Sequence, residues 1–261
     1  GRARIWKEQG FSFDMGPSWY LMPEVFEKFF AHFNKKPTDY LELSRLDPAY
    51  RMYFGKDDVI DVREDLKKNK RLFDEIEEGG GDKLQAYLDK AKYQYDTAMD
   101  KFIYKNYASF KDVLDPKLAK AGVQMRLFAS LDRYASRYFT SDRLKKILEY
   151  TVVFLGGDPN NTPALYSLMS HVDFNLGVWY PEGGMNALAR AMSSLAEELG
   201  VIFWFDTPVT RIITKDGKAI GVEAGGREFE ADLVVCNADY HHAEQQLLKQ
   251  EDRTYTKKYW D

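Results

Sequence analysis

The chain has 261 residues, 44% of them hydrophobic, 15% aromatic and 30% charged, a balance that supplies a sizeable core and argues against intrinsic disorder. Its net charge of −4 argues against a nucleic-acid partner, which selects a basic excess. The single cysteine, Cys236, rules out an internal disulfide framework and a multi-cysteine zinc site, and fits a reducing compartment.

No stretch reaches the roughly 20 apolar residues of a membrane span. The first residues carry neither an initiator Met nor a signal-type apolar run, so the chain reads as cut from something longer. In chain order, Gly16-Pro17 is a rigid turn, and Pro23 suits the first position of a helix over 24–34 with Val25, Phe26, Phe29, Phe30 and Phe33 inward. Strand-like pieces are predicted at 40–43, 50–54 and 59–62, the last two joined as a hairpin through 55–58. From 63 to 155 the texture is helical. Leu84, Leu88, Ala91, Tyr95, Ala98 and Phe102 step by 4, 3, 4, 3 and 4, one face of a helix. Gly79-Gly80-Gly81 separates it from an earlier charged helix, with Asp82 as N-cap. Leu127, Leu131, Tyr134 and Tyr138 form a second stripe, and Ser141 caps a third helix bearing Leu144, Ile147, Leu148 and Thr151, closed by Gly156-Gly157.

A turn at 158–161, a short helix and a strand over 176–180 follow. Pro181-Glu182-Gly183-Gly184 leads into an amphipathic helix from Met185 to Leu199, stopped by Gly200. Strands are then predicted at 201–205, 209–214, 219–224, 228–230 and 233–236, with Asp216-Gly217 as a tight turn, before a helix over 241–248. The fold class is therefore α+β (mixed α/β). Residues 1–62 and 156–261 form a sheet-containing part, and 63–155 a helical insert.

The residue chemistry shows no self-sufficient catalytic set. His32, His171, His241 and His242 lack metal-ligand spacing, and the adjacent last pair points about 100° apart on a helix. The carboxylates sit on polar helix faces, and Cys236, ending an apolar strand, reads as a buried structural thiol. Catalytic residues stay unassigned, and no metal is expected. Glycine says more. Gly183-Gly184, at a helix start, leaves bare backbone N–H groups for an anion or a polar ring edge, or else is a plain tight turn; Gly16-Pro17-Ser18 carries the same two readings. Spacing decides neither.

Several runs, taken in order, resemble the bacterial-type phytoene desaturases, within the flavin-dependent amine-oxidase-like oxidoreductases. They are Gly1-Arg2-Ala3-Arg4; Gly10-Phe11-Ser12-Phe13-Asp14-Met15-Gly16-Pro17-Ser18; Phe154-Leu155-Gly156-Gly157 with Thr162-Pro163-Ala164-Leu165-Tyr166-Ser167; Tyr180-Pro181-Glu182-Gly183-Gly184-Met185; Thr207-Pro208-Val209-Thr210-Arg211-Ile212; and Val234-Val235-Cys236-Asn237-Ala238-Asp239. Together they span essentially the whole chain. The resemblance implies FAD, a long apolar isoprenoid substrate and desaturation by hydride transfer to the flavin. By the same resemblance Arg2 matches the arginine that reaches the flavin phosphates, and Gly16, Pro17 and Ser18 a loop near the flavin. Gly183 and Gly184 match the pair facing the isoalloxazine, Val209 a strand position whose backbone meets the adenine, and Asn237 and Ala238 a strand end returning to the dinucleotide site.

The family's G-x-G-x-x-G turn and its N-terminal βαβ unit do not precede Gly1, and its C-terminal part does not follow Asp261. The expectation is a fragment, inactive alone, that binds FAD weakly or not at all. A carotenoid isomerase, a retinol-saturase-like enzyme and a non-catalytic helical lipid- or partner-binding module over 63–155 stay open. The expected location is cytoplasmic, with a peripheral contact to the inner membrane face through the 25–33 phenylalanine stripe as a further reading; core packing of that stripe is the competing one.

Overall fold

The computed structural model describes residues 2–106 and 129–260, so the predicted stripe position Leu127 lies outside the described residues. The chain divides into two compact units, Gly1–Ala196 and Glu197–Asp261. Every strand pairing given for the described residues is antiparallel, and helices and small sheets are mixed.

The first unit opens with a hairpin of β1 (Ile5–Glu8) and β2 (Phe11–Asp14), turned by Gln9 and Gly10, both at positive φ as a tight two-residue turn requires. Helix α1 (Pro23–Ala31) begins on the predicted proline. Its stripe splits. Phe30 is fully buried against Leu41, Ala191 and Leu195, Phe26 packs on Tyr20, and Phe29 and Phe33 stay exposed. The strand predicted at 40–43 starts later, as β3 (Leu43–Arg45), because the Asp39 carboxylate accepts the Lys36 N–H at 2.8 Å and tightens Pro37–Asp39 into a 3-10 turn. The hairpin of β4 (Tyr50–Tyr53) and β5 (Val59–Val62) forms as predicted.

Asp65 caps α2 (Leu66–Ile76) by accepting the Lys67 N–H. The next helix, α3 (Gly80–Ala98), carries the predicted stripe but starts earlier than expected, with Gly79 rather than Asp82 as its N-cap. Gly80 and Gly81 are helical and buried because α2 passes too close for side chains. A Cβ on Gly80 would sit 2.2 Å from the Phe73 carbonyl oxygen. Beyond α3 lie α4 (Leu131–Ala135) and α5 (Asp142–Glu149). Ser141 stands at the N-cap of α5 without a side-chain bond; Glu77 from the end of α2 accepts its N–H instead, at 2.8 Å. A 3-10 segment, Tyr150–Leu155, ends at Gly156 with φ +62°. One core joins Tyr50, Ile60 and Val62 of the β4–β5 hairpin to Phe73, Leu84, Leu88, Ile147, Leu148 and Phe174. The described helices of this stretch thus share one core with the β4–β5 hairpin.

A wide π turn, Val172–Leu176, occupies the start of the strand predicted at 176–180, which shortens to β6 (Trp179–Pro181) paired with β3. Helix α7 (Asn186–Glu198) follows the short α6 (Leu168–His171) and stops at Gly200, at φ +87° as predicted.

In the second unit β7 (Val209–Lys215), β8 (Lys218–Ala224) and β9 (Arg227–Glu230) make one meander, turned at Asp216-Gly217. Residues 201–205 and 233–236 are not strands: neither has a ladder partner among the described residues, and Ile202, Phe205, Leu233 and Val235 are exposed. Cys236, ending the second of them, is accordingly exposed rather than buried.

Candidate functional site

The hairpin β1–β2 and the turn before α7 meet at one carboxylate. Asp14, the last residue of β2, accepts the Tyr180 hydroxyl at 2.7 Å and the Met185 N–H at 3.0–3.1 Å on its two oxygens. That bond, with burial, pushes the Tyr180 hydroxyl up. Asp14 therefore ties the end of β6 and the start of α7 to the hairpin. Its charge also sits where the partial positive charge of the helix N-terminus favours an anion.

The glycines explain why the approach is possible. Gly184 has φ +85°, and a Cβ there would lie 2.9 Å from Asp14 Oδ1. Gly16 lies against the backbone of Arg2, whose carbonyl oxygen would stand 1.9 Å from a Cβ. The Met15 N–H donates to the Arg4 carbonyl, and Asn186 Nδ2 donates to the Ala3 carbonyl at 2.8 Å. The chain then runs through exposed Pro17 and Ser18 to Tyr20, whose backbone pairs both ways with Trp179. Arg2, Gly16, Pro17, Ser18, Gly183 and Gly184 thus belong to one neighbourhood. The Gly184 and Met185 N–H groups are not bare: Pro181 and Asp14 accept them. Gly183 is the exposed member of the pair, at φ +79°.

A groove of about 320 Å³ opens beside this knot, lined by Lys7, Phe13, Asp14, Tyr180, Gly183 and Arg190 among others. Trp6, Phe11 and Phe13 lie exposed on the hairpin, Trp6 and Phe13 with ring centroids 5.4 Å apart. Of these three only Phe13 lines the groove, whose two cations and side-chain-free backbone suit a ring with polar edges. Asp14, Tyr180, Lys7, Arg190 and Asn186 are not singled out by the sequence, because what marks them is contact across more than 160 residues.

Val209, Asn237 and Ala238 lie in the second unit, all exposed: Val209 opens β7, and the other two precede Asp239, which caps the short helix Tyr240–His242. Among the described residues no group of three or more His, Cys, Asp or Glu gathers as a metal site. No helix among them is long and apolar enough to cross a membrane.

This neighbourhood is built from the runs that carry the likeness to flavin oxidoreductases, and comparison with known proteins gives the class directly. The model of the flavin containing amine oxidoreductases matches residues 1–258, and the chain belongs to that family. It is 45% identical, over its full length, to a carotenoid 3,4-desaturase of Haloarcula japonica, covering 53% of that protein. It is 35% identical over 99% of its length to a zeta-carotene-forming phytoene desaturase of Myxococcus xanthus, covering 50% of it. The chain spans about half the length of the curated relatives it matches. A solved oxidoreductase from Methanosarcina mazei shares the fold, with a TM-score of 0.50 and 17% identity over 89% of this chain and 49% of the other.

Proposed function

We propose that this chain belongs to an FAD-dependent enzyme that desaturates a carotenoid precursor such as phytoene. The observation that carries the reading is the Asp14 knot, which brings the hairpin that Gly16 closes against Arg2 up to the Gly183-Gly184 turn, beside a groove lined by Lys7, Phe13, Asp14, Gly183 and Arg190. Bound FAD supplies the hydride acceptor for a saturated carbon. Arg2 is assigned to the flavin phosphates, Gly16, Pro17 and Ser18 to a wall beside the flavin, and Gly183-Gly184 to the isoalloxazine face. Val209, through its backbone, is assigned to the adenine, and Asn237 and Ala238 to the dinucleotide. Residues 63–155 are assigned as a helical insert on the substrate side; the core that its described residues share with β4–β5 supports an integral part of the domain over an independent lipid-binding module.

Product analysis of the full-length enzyme with phytoene tests this. New conjugated double bonds are expected; altered double-bond geometry alone would assign an isomerase. The groove is small and open, so the 261 residues alone should hold FAD weakly, and stoichiometric flavin absorbance in the purified chain contradicts that point. Phe29 and Phe33, exposed on α1, are the residues assigned to peripheral membrane contact. Liposome co-sedimentation that is unchanged in folded Phe29→Ser removes that role.

A further inference from the structure

A trough of about 590 Å³ runs beside α1 and shares no lining residue with the Asp14 groove. Pro23, Glu27 and Ala31, spaced four apart, give it one stripe of the helix. Pro37 and Thr38 of the 3-10 turn and Leu43 of β3 line it as well. Over Pro23, Glu27, Thr38 and Leu43 it continues into a second hollow that reaches Leu41 and Trp179. Tyr20 forms the buried part of the wall and is only 1% exposed. Its backbone exchanges hydrogen bonds with Trp179 at 2.8 and 3.0 Å, and its ring packs on Phe26 with centroids 4.7 Å apart. The ring is therefore held firmly, yet its hydroxyl is buried with no hydrogen-bond partner.

A buried hydroxyl without a partner is costly, and phenylalanine would fill the same space without that cost. In the wall of a cavity such a group marks where the polar atom of a ligand belongs. The charges around it narrow the choice. Glu27 lines the trough at the same place, and burial, then the Glu27 and Glu24 charges, push the Tyr20 hydroxyl up, so it stays a donor. Glu24 already accepts the Tyr95 hydroxyl. Lys35 and Lys36 also line the trough, Lys35 standing 5.7 Å over the Tyr40 ring. A carboxylate ligand would meet the Glu27 charge, and an ammonium would add a third cation to two already present. A neutral hydroxyl meets neither penalty: its oxygen accepts from Tyr20, and its O–H donates to Glu27. Pro23, Ala31, Pro37 and Leu43 offer apolar surface to the chain behind it.

We propose that the α1 trough is a binding site for a long apolar chain ending in a hydroxyl group, with Tyr20 as its hydrogen-bond donor and Glu27 as its acceptor. The site stands independently of the desaturase reading, because none of its residues lines the Asp14 groove and its test reads binding rather than turnover.

The test is calorimetric titration of the full-length enzyme with decan-1-ol, decanoate and decylammonium, which share one chain and differ in the end group. Decan-1-ol is expected to bind about tenfold more tightly than either ion. Tyr20→Phe should weaken decan-1-ol about tenfold and leave the two ions nearly as they were, so that the preference disappears. Glu27→Ala should bring decanoate up towards the alcohol, since the repelling charge is gone. Should Tyr20→Phe not fold, Ala31→Trp carries the test: Ala31 is exposed on α1, and the indole would fill the trough and abolish binding. Equal affinity for the three compounds, a preference for either ion, or no saturable binding of decan-1-ol overturns the proposal. So does a preference for the alcohol that survives in folded Tyr20→Phe or Ala31→Trp, which would place the compound elsewhere on the enzyme.

Discussion

At the scale of single residues, the surroundings of a carboxyl decide what it does. Asp14 takes three hydrogen bonds and serves as a tie. Replacing it with Ala should cost about 1–3 kcal/mol in urea unfolding by leaving Tyr180 and the Met185 N–H unmatched. A Gly16→Ala chain should lose a comparable amount, about 2 kcal/mol, since its Cβ has no room beside Arg2. Stability unchanged in both would remove the knot as a constructional feature. Asp173 and Glu149 behave oppositely. Burial pushes each up to about 7, with the Asp132 charge adding to the effect at Glu149. The folded chain therefore keeps protons that the unfolded chain has released. That contribution is complete below the ordinary carboxylate range and is lost as pH rises through about 7. Urea midpoints should be lower in mildly alkaline than in mildly acidic buffer, and Asp173→Asn should flatten the slope. A midpoint that climbs with pH across this window contradicts the assignment.

At the scale of elements, contacts between helices decide more than propensity does. Glu77, at the end of α2, accepts N–H groups from Thr140 and Ser141 and pairs with Lys83 at 2.6 Å. Burial opposes its charge, yet Lys83 and those donors bring it down to about 2. Glu77→Ala should therefore destabilise the chain by about 2 kcal/mol, and hydrogen exchange should quicken first around 140–141. Uniform exchange across the helices would say that Glu77 pins nothing. The three glycines at 79–81 make the same point. Read along the chain they are a break between helices; in space two of them are helical, because only glycine lets α3 begin against the α2 backbone.

At the scale of the molecule, the second unit carries exposed apolar segments. There, residues 201–205 and 233–236 carry strand-like apolar sequence without a ladder among the described residues, and Val235 is 81% exposed. Exposed apolar segments invite association. The purified chain should self-associate with rising concentration, and Ile202→Lys combined with Val235→Lys should reduce this. Sedimentation velocity gives the answer; a monomer at all concentrations refutes it.

What the amino-acid order determined by itself is local. The hairpins at 50–62 and 209–224, the proline start of α1 and the glycine stop after α7 follow from side-chain period and turn chemistry, which act within a few residues. The family is legible for a related reason, since its motifs are short runs in fixed order. Tertiary structure alone decided the rest. Whether 201–205 and 233–236 are strands depends on a partner strand, whether Cys236 is covered depends on that same sheet, and the weight of Asp14 and Asp173 comes from hydroxyls more than 100 residues away. Hydrogen-bond partners and burial are properties of chain crossings, and no periodicity along the sequence records them.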